Sequence, residues 1–378
     1  MARLRIVPAL NPGAMRDFLR VPWKVYRGDP AWVPPLLMER KEALSEKHPT
    51  FVHLRWQGWV AYLDERPVGR ITAQIDQLHQ ERYGDRTGFF GNLEMTHDQE
   101  VTAALFAQAE SWLRDQGMQQ VRGPFSMNIN QETGVLVEGF ESPPFVMMGH
   151  ALPYYGAAIE RCGYHPLKDV LAYEVDAHFD ATPVMAALQQ RLRGRVRVRP
   201  INRSRLASEL ETLRDIFNDA WSNNWGFVPF TETEIQHIGN DLVKVTPDGF
   251  IQIAEIDDTP VAFVALLPNI NEAIADLNGR LLPFGWLKLL WRLKVSFPKT
   301  GRIALMGVRR HLQHTRFGPG LAFLVVEALR APATAKGIER VEMSWILEDN
   351  KAMRNIIESL GGEITKRYRV YGKSLQDV

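Results

Sequence analysis

The sequence predicts an α/β (α+β) chain made of two copies of one unit, and three observations carry that prediction. Each half runs through strand, helix, hairpin, strand, helix, strand and helix in the same order. Short segments recur at a nearly constant spacing. The chain has 378 residues, the length of two ordinary domains. In the recurrence LDERPVG matches IDDTPVA, with Val68 and Val261 193 positions apart, and WVPP matches GFVP, with Val33 and Val228 195 apart. IERCGY matches IIESLGG, with Gly163 and Gly361 198 apart. The expected domains are 1–185 and 186–378.

The first half opens with an alternating strand at 3–10, and Asn11-Pro12 marks a helix start. A hairpin follows at 60–76 with its turn at 64–67, then a strand at 87–94. Residues 98–117 form an amphipathic helix with Val101, Leu105, Ala109 and Trp112 on one face and Gly117 as its stop. A strand at 120–125, a long irregular loop and a helix-like YYGAAIERCGY complete it. In the second half, strands are expected at 195–202, 302–308, 341–347 and 368–371, with a hairpin at 249–267. Helices are expected at 205–221, 320–335 and 350–360.

Departures from the repeat locate what each half added. Gly117 and Gly337 both end helices but lie 220 apart, so the second half gained about 27 residues before that point, at about 272–300. The first half instead carries about 22 extra residues in the loop SMNINQETGVLVEGFESPPF. The insert contains LLPFGWLKLLWRLKVSFP, from Leu281 to Pro298. Wound as a helix, it sets Trp286, Leu289, Leu290 and Leu293 on one side, widened by Leu287 and Trp291. Its only charges are Lys288, Arg292 and Lys294, all cationic on stems that snorkel. It is too short to span a bilayer. A helix lying in a membrane interface and a core helix with rim cations both fit this pattern; a core helix should occur in both halves, and this one does not.

Bulk composition narrows the classes. A net charge of +1 argues against a general nucleic-acid binder. One cysteine, Cys162, excludes an internal disulfide, suits a reducing cytoplasm and is expected to pack rather than react. The first residues lack a signal-peptide pattern, and no run reaches spanning length, so any membrane association is expected to be peripheral, on the inner surface. The run from Arg191 to Arg205 holds seven arginines and no acid; it reads as the solvated edge of a strand or as a contact for anionic headgroups.

The chemistry points to the second half. Strand RIALMGV leads into RRHLQHTRFGPGLA, where Gly318 and Gly320 open a helix. Glycines let a ligand approach the backbone, and a helix N-terminus favours an anion. Arg309, Arg310 and Arg316 add positive charge, and Phe317 stands beside the first glycine. Together with ILEDNKAMRNIIESLGG, a strand-end asparagine followed by a short helix and a glycine, this resembles the GNAT N-acyltransferases. The resemblance implies two GNAT-like domains in tandem, each a mixed central sheet flanked by helices. It also implies that the glycine loop holds the coenzyme A pyrophosphate, with acyl-CoA as co-substrate and no metal. Val308, where the GNAT strand splays, is expected to polarise the thioester carbonyl through its N–H.

Glu348, at the strand end, is the candidate base and Asn350 stands beside it, either as a catalytic and coenzyme contact or as a helix cap. Asn224, Trp225 and Tyr368 are candidates for the acceptor pocket, which GNAT proteins line with the helix-pair loop and last strands. The sequence also departs from the family. Thr315 stands where an arginine or glutamine is usual, and Ile357 stands where a tyrosine often protonates the thiolate. The first half has NLEMTHDQE in place of a glycine loop, which implies a scaffolding or acceptor-binding role.

Over nearly its full length the chain is similar to the bacterial ceramide synthase group of tandem GNAT proteins. The matching segments are DPAWVPPL from Asp29, GFFG from Gly88, NWGFVP from Asn224, NGRLLPFG from Asn278 and SWILEDN from Ser344. This resemblance implies transfer of a long-chain acyl group to the amine of a lipid such as a sphingoid base, with the insert touching a membrane. A short-chain acetyltransferase of a soluble amine and a non-catalytic acyl-CoA-binding module remain the alternatives.

Overall fold

The computed structural model describes residues 3–180, 182–192, 194–315 and 317–376. In chain order the elements begin β1 (Leu4–Pro8), α1 (Pro12–Val25), α2 (Leu37–Ala43), β2 (Leu54–Leu63), β3 (Arg66–Asp76), α3 (Gln77–Tyr83) and β4 (Thr87–Met95). Next come α4 (Gln99–Asp115), β5 (Gln120–Gly123), β6 (Val135–Glu138), α5 (Tyr155–Arg161), β7 (His165–Asp176), α6 (Pro183–Leu192) and β8 (Arg197–Pro200). These are followed by α7 (Leu206–Trp221), α8 (Glu232–Val245), β9 (Ile251–Ile256), β10 (Thr259–Pro268), α9 (Ile270–Ile274) and α10 (Gly285–Lys294). The chain closes with β11 (Thr300–Val308), α11 (Arg310–Gln313), α12 (Gly318–Ala335), β12 (Arg340–Leu347), α13 (Lys351–Ser359) and β13 (Glu363–Ser374).

Two compact units result. The first comprises Met1–Val170, Ile274–Gly285 and Lys366–Val378, and the second Leu171–Ala273 and Trp286–Thr365. The first unit's sheet has the order β1-β2-β3-β4-β5-β13, with β6 also on β13; the second's is β7-β12-β11-β10-β9-β8. In each, four strands pair antiparallel and the fourth then pairs parallel to the fifth, β4 with β5 and β11 with β12. The repeat in the sequence is this meander. Its matched LDERPVG and IDDTPVA segments are two-residue turns with both central residues left-handed, Asp64-Glu65 and Asp257-Asp258. That geometry suits the twist of a hairpin.

The units differ from the sequence division at 185/186 because their final strands are exchanged along the chain. Tyr371 and Gly372 pair with Gly123 and Arg122, so the last strand finishes the first unit. Asp169 fixes it further, accepting from Arg369 at 2.7 and 2.8 Å and from Arg367 at 3.3 Å. Strand β7, which the sequence reading did not include, has residues 170–174 unbroken in burial except at the last, so no alternation betrays it.

In the second unit the period-two pattern splits two cores. Ile253, Phe263 and Ala265 meet α7 and α8 through Leu213, Ile216, Phe217 and Ile235. Their neighbours Ala254, Val264 and Leu266 meet α12 and α13 through Leu321, Val325, Leu329 and Ile357. Helix α10 belongs to neither core. Leu289 and Leu293 are half-buried, whereas Trp286, Leu287, Leu290 and Trp291 are 47–56% exposed. The core-helix reading therefore fails: the apolar stripe divides along its length, its Leu289 and Leu293 edge half-buried and its Trp286 and Leu290 edge exposed. Among the described residues, no helix is long and apolar enough to cross a membrane.

The C-terminal part of the arginine run is paired locally. Arg199 of β8 bonds Glu255 at 2.7 Å and Glu209 at 2.9 Å, and Arg203 and Arg205 reach Asp248 and Glu209. These partners tie residues 199–205 to the sheet edge and α7, while Arg191 and Arg195 are exposed and Arg193 lies outside the described residues. Cys162 is half-buried, and burial followed by the charge of Glu110 pushes its thiol up, away from a nucleophile's range.

Candidate active site

The second unit has a fork. Strands β11 and β12 pair from Thr300↔Arg340 to Ile303↔Met343 and no further, although both continue. Residues 304–308 and 344–347 therefore form two arms with no ladder between them. A bulge at Ala304, skipped where Ala265↔Leu305 gives way to Leu266↔Ile303, bends β11 at the same point. Beyond it Arg309 N–H donates to Val261 O at 2.8 Å, so by ladder alternation the N–H of Val308 points away from β10, toward the open side. Trp221 Nε1 donates to Met306 O at 2.8 Å and Gln313 Nε2 to Val308 O at 2.8 Å. Neither residue was singled out from sequence, because each acts on a backbone carbonyl that no motif reveals.

The first unit closes the corresponding place. After Phe89↔Arg122 the chain stays on β4, with Phe125 N–H donating to Phe90 O at 2.8 Å. A Cβ on Gly91 would lie 1.6 Å from Phe125 O, so only glycine lets this carbonyl in, and Gln74 Nε2 holds it at 2.8 Å.

The glycine loop is anchored on α7. Arg309 Nη2 meets Asp215 at 2.6 Å, Arg310 N–H donates to Asp219 at 2.7 Å, and Gln313 Nε2 also reaches Ala220 O at 2.8 Å. The charge of Arg309 is thus compensated within the protein. Arg316 lies outside the described residues. Phe317 caps α12, its N–H donating to Thr315 Oγ1 at 3.1 Å. The two glycines do different work. A Cβ on Gly318 would sit 2.3 Å from Gln313 O, so glycine allows the loop to turn tightly onto the helix. A Cβ on Gly320 would sit 2.7 Å from Leu192 Cδ1, so this glycine serves packing of α12 on α6 rather than backbone approach to a ligand.

At the end of the β12 arm, Glu348 is half-buried and its carbonyl accepts from Arg354 Nη1 at 2.9 Å. Arg354 is itself held by Tyr173 Oη at 3.0 Å. Asn350 spends its side-chain oxygen capping α13, accepting from Met353 N–H at 3.1 Å, which is the cap role. Asn224 and Trp225 are half-buried in the turn after Trp221, the residue that bonds the β11 arm. Tyr368 is fully buried in the first unit, paired with Leu136, so the structure does not group it with Asn224 and Trp225 in one unit. Ile357 is 1% exposed in the core, so α13 offers no acid there.

Two mixed sheets of this order, one forked beyond its parallel pair and followed by a glycine-opened helix, define a tandem GNAT fold. A solved tandem GNAT protein from the clavulanic acid biosynthesis pathway matches 100% of this chain and 100% of its own at TM-score 0.60 and 14% identity. No family model matches. Protein YghO of Escherichia coli (strain K12) is 52% identical over 369 residues, 97% of this chain and 94% of its own. The bacterial ceramide synthase of Caulobacter vibrioides (strain NA1000 / CB15N) is 44% identical over 377 residues, 99% of this chain and 98% of its own. The chain belongs to the bacterial ceramide synthase family of tandem GNAT-fold proteins and is an N-acyltransferase.

Proposed function

We propose that the second unit binds acyl-CoA at the fork and transfers a long-chain acyl group to the amine of a lipid acceptor such as a sphingoid base. The observation that carries the lipid reading is α10, whose Trp286, Leu287, Leu290 and Trp291 stand exposed in the forked unit. The name of the Caulobacter relative supports the same substrate class. Coenzyme binding is assigned to residues 309–320, with Arg309, Arg310, Arg316, Phe317, Gly318 and Gly320 along the loop and Asn350 near the fork. The N–H groups at the start of α12 suit a pyrophosphate. The N–H of Val308 would bond the thioester carbonyl, Glu348 would accept the ammonium proton, and Asn224 and Trp225 are the candidates for holding the acceptor. The first unit serves as scaffold, since Phe125 fills its counterpart of the fork.

The test is thiol release from acetyl-, octanoyl- and palmitoyl-CoA with sphinganine and with a soluble amine. Turnover restricted to the long chains and the sphingoid amine is expected. Preference for acetyl-CoA and the soluble amine would favour the short-chain reading, and no turnover with any pair would leave an acyl-CoA-binding module.

Membrane contact through the segment from Leu281 to Pro298 has a charge argument as well as an apolar one. Residues 277–326 contain no Asp or Glu, so the exposed face of α10 lies in an entirely cationic stretch. Wild type is expected to sediment with vesicles of anionic and neutral phospholipid. Trp286→Glu/Trp291→Glu should lose at least about tenfold in partitioning. Equal sedimentation of the two proteins would end the interfacial role of α10.

A further inference from the structure

A buried polar group stands at the root of the fork. Arg302 and Glu342 face each other one step before the last β11–β12 pair, and Ser344 is the first β12 residue beyond it. Their exposures are 1%, 0% and 5%. Ser344 Oγ–H donates to Glu342 Oε1 at 2.6 Å, and Arg302 Nε donates to Ser344 Oγ at 2.8 Å. Arg302 Nε also lies 3.6 Å from Glu342 Oε1, and its guanidinium rests 4.8 Å from the centre of the Trp345 ring. Burying such an ion pair is costly, and apolar residues of the same volume would fill the space as well or better. The indole N–H of Trp345, next along the arm, is buried without an acceptor among the described residues. An unspent donor there suits a bound molecule.

Amide formation from an ammonium strips two protons from nitrogen, while the departing sulfur takes up one. Resting on the acyl-CoA reading above, we propose that Ser344, backed by Glu342 and Arg302, carries the second of these protons from the attacking nitrogen to the leaving sulfur. The first leaves to solvent through Glu348. As the C–N bond forms and the C–S bond breaks, the bonding pair goes to sulfur. Ser344 Oγ receives the nitrogen's proton while passing its own to Glu342, and the proton returns by the same route to sulfur. The products are one amide, one thiol and one released proton. Ser344 is the group in contact with the reacting atoms. Glu342 and Arg302 are positioning residues, the first directing the hydroxyl and the second holding the hydroxyl oxygen through its Nε–H. This supplies the acid that Ile357 cannot.

The experiment compares wild type, Ser344→Ala, Ser344→Thr and Glu342→Gln on palmitoyl-CoA and on its oxyester analogue, in which oxygen replaces the thioester sulfur. Ser344→Ala should lower kcat on the thioester by about 100-fold. KM and calorimetric affinity for coenzyme A should stay within about twofold of wild type. The deficit should grow on the oxyester, whose alkoxide depends far more on receiving a proton. Ser344→Thr should retain most activity, and Glu342→Gln should follow Ser344→Ala if its melting temperature matches wild type. Should Glu342→Gln fail to fold, Ser344→Ala on the two esters decides alone. Wild-type kcat in Ser344→Ala, or an equal deficit on both esters, would overturn the relay. Absence of turnover by wild type itself would instead overturn the acyl-CoA reading beneath it.

Discussion

Glu348→Gln is expected to lower turnover by about 10²- to 10⁴-fold while coenzyme A binds as to wild type. The substitution keeps shape and removes the capacity to accept a proton. Glu348 sits where the β12 arm ends, and the arm is held there by Arg354, which grips the Glu348 carbonyl and the Tyr173 hydroxyl. The bond from Arg354 is to the backbone carbonyl of Glu348 and survives the change, so a loss of rate at an unchanged melting temperature would report chemistry and not a displaced arm. Steady-state rates beside calorimetric coenzyme affinity make the measurement. Full activity would remove Glu348 from the reaction.

Ending the chain after Thr365 is expected to unfold the first unit, although more than 160 residues separate that unit's main segment from the cut. The deletion removes the strand that pairs with β5 and β6, together with buried Val370 and Tyr371. It leaves Asp169 without Arg367 and Arg369, whose three bonds hold a carboxyl that burial alone would raise below its usual range. Taking the ion-pair partners from a buried carboxylate costs about 3 kcal/mol. Loss of protease protection in residues 3–170, read by mass spectrometry, checks this; unchanged protection would mean that the strand is dispensable.

The repeated meander was legible because its signals are local. Asp64-Glu65 and Asp257-Asp258 announce tight turns, and Asn11 and Asn350 announce caps, each fixed by neighbours a few residues away. Gly318 and Gly320 were legible as glycines that matter, but their reasons were not. Gly320 answers to Leu192, about 130 positions distant, and no pattern in the sequence marks that meeting. The exchange of final strands was hidden for a similar reason, since Tyr371 can be matched with Gly123 only once the sheet exists. The fork was hidden because it is a lack of pairing between two strands that each look ordinary. For α10, periodicity gave an apolar helix, and packing alone selected which side turned outward.

The closing strand also sets a clock on synthesis. When Val170 has been made, the first unit still lacks the strand that completes its sheet, and the ribosome must add about 200 residues more. At roughly 5–20 residues per second that is an interval of about 10–40 s. Throughout it, one edge of β5 stays unpaired, an open template for another chain. The first half of this chain is therefore the half whose sheet closes last.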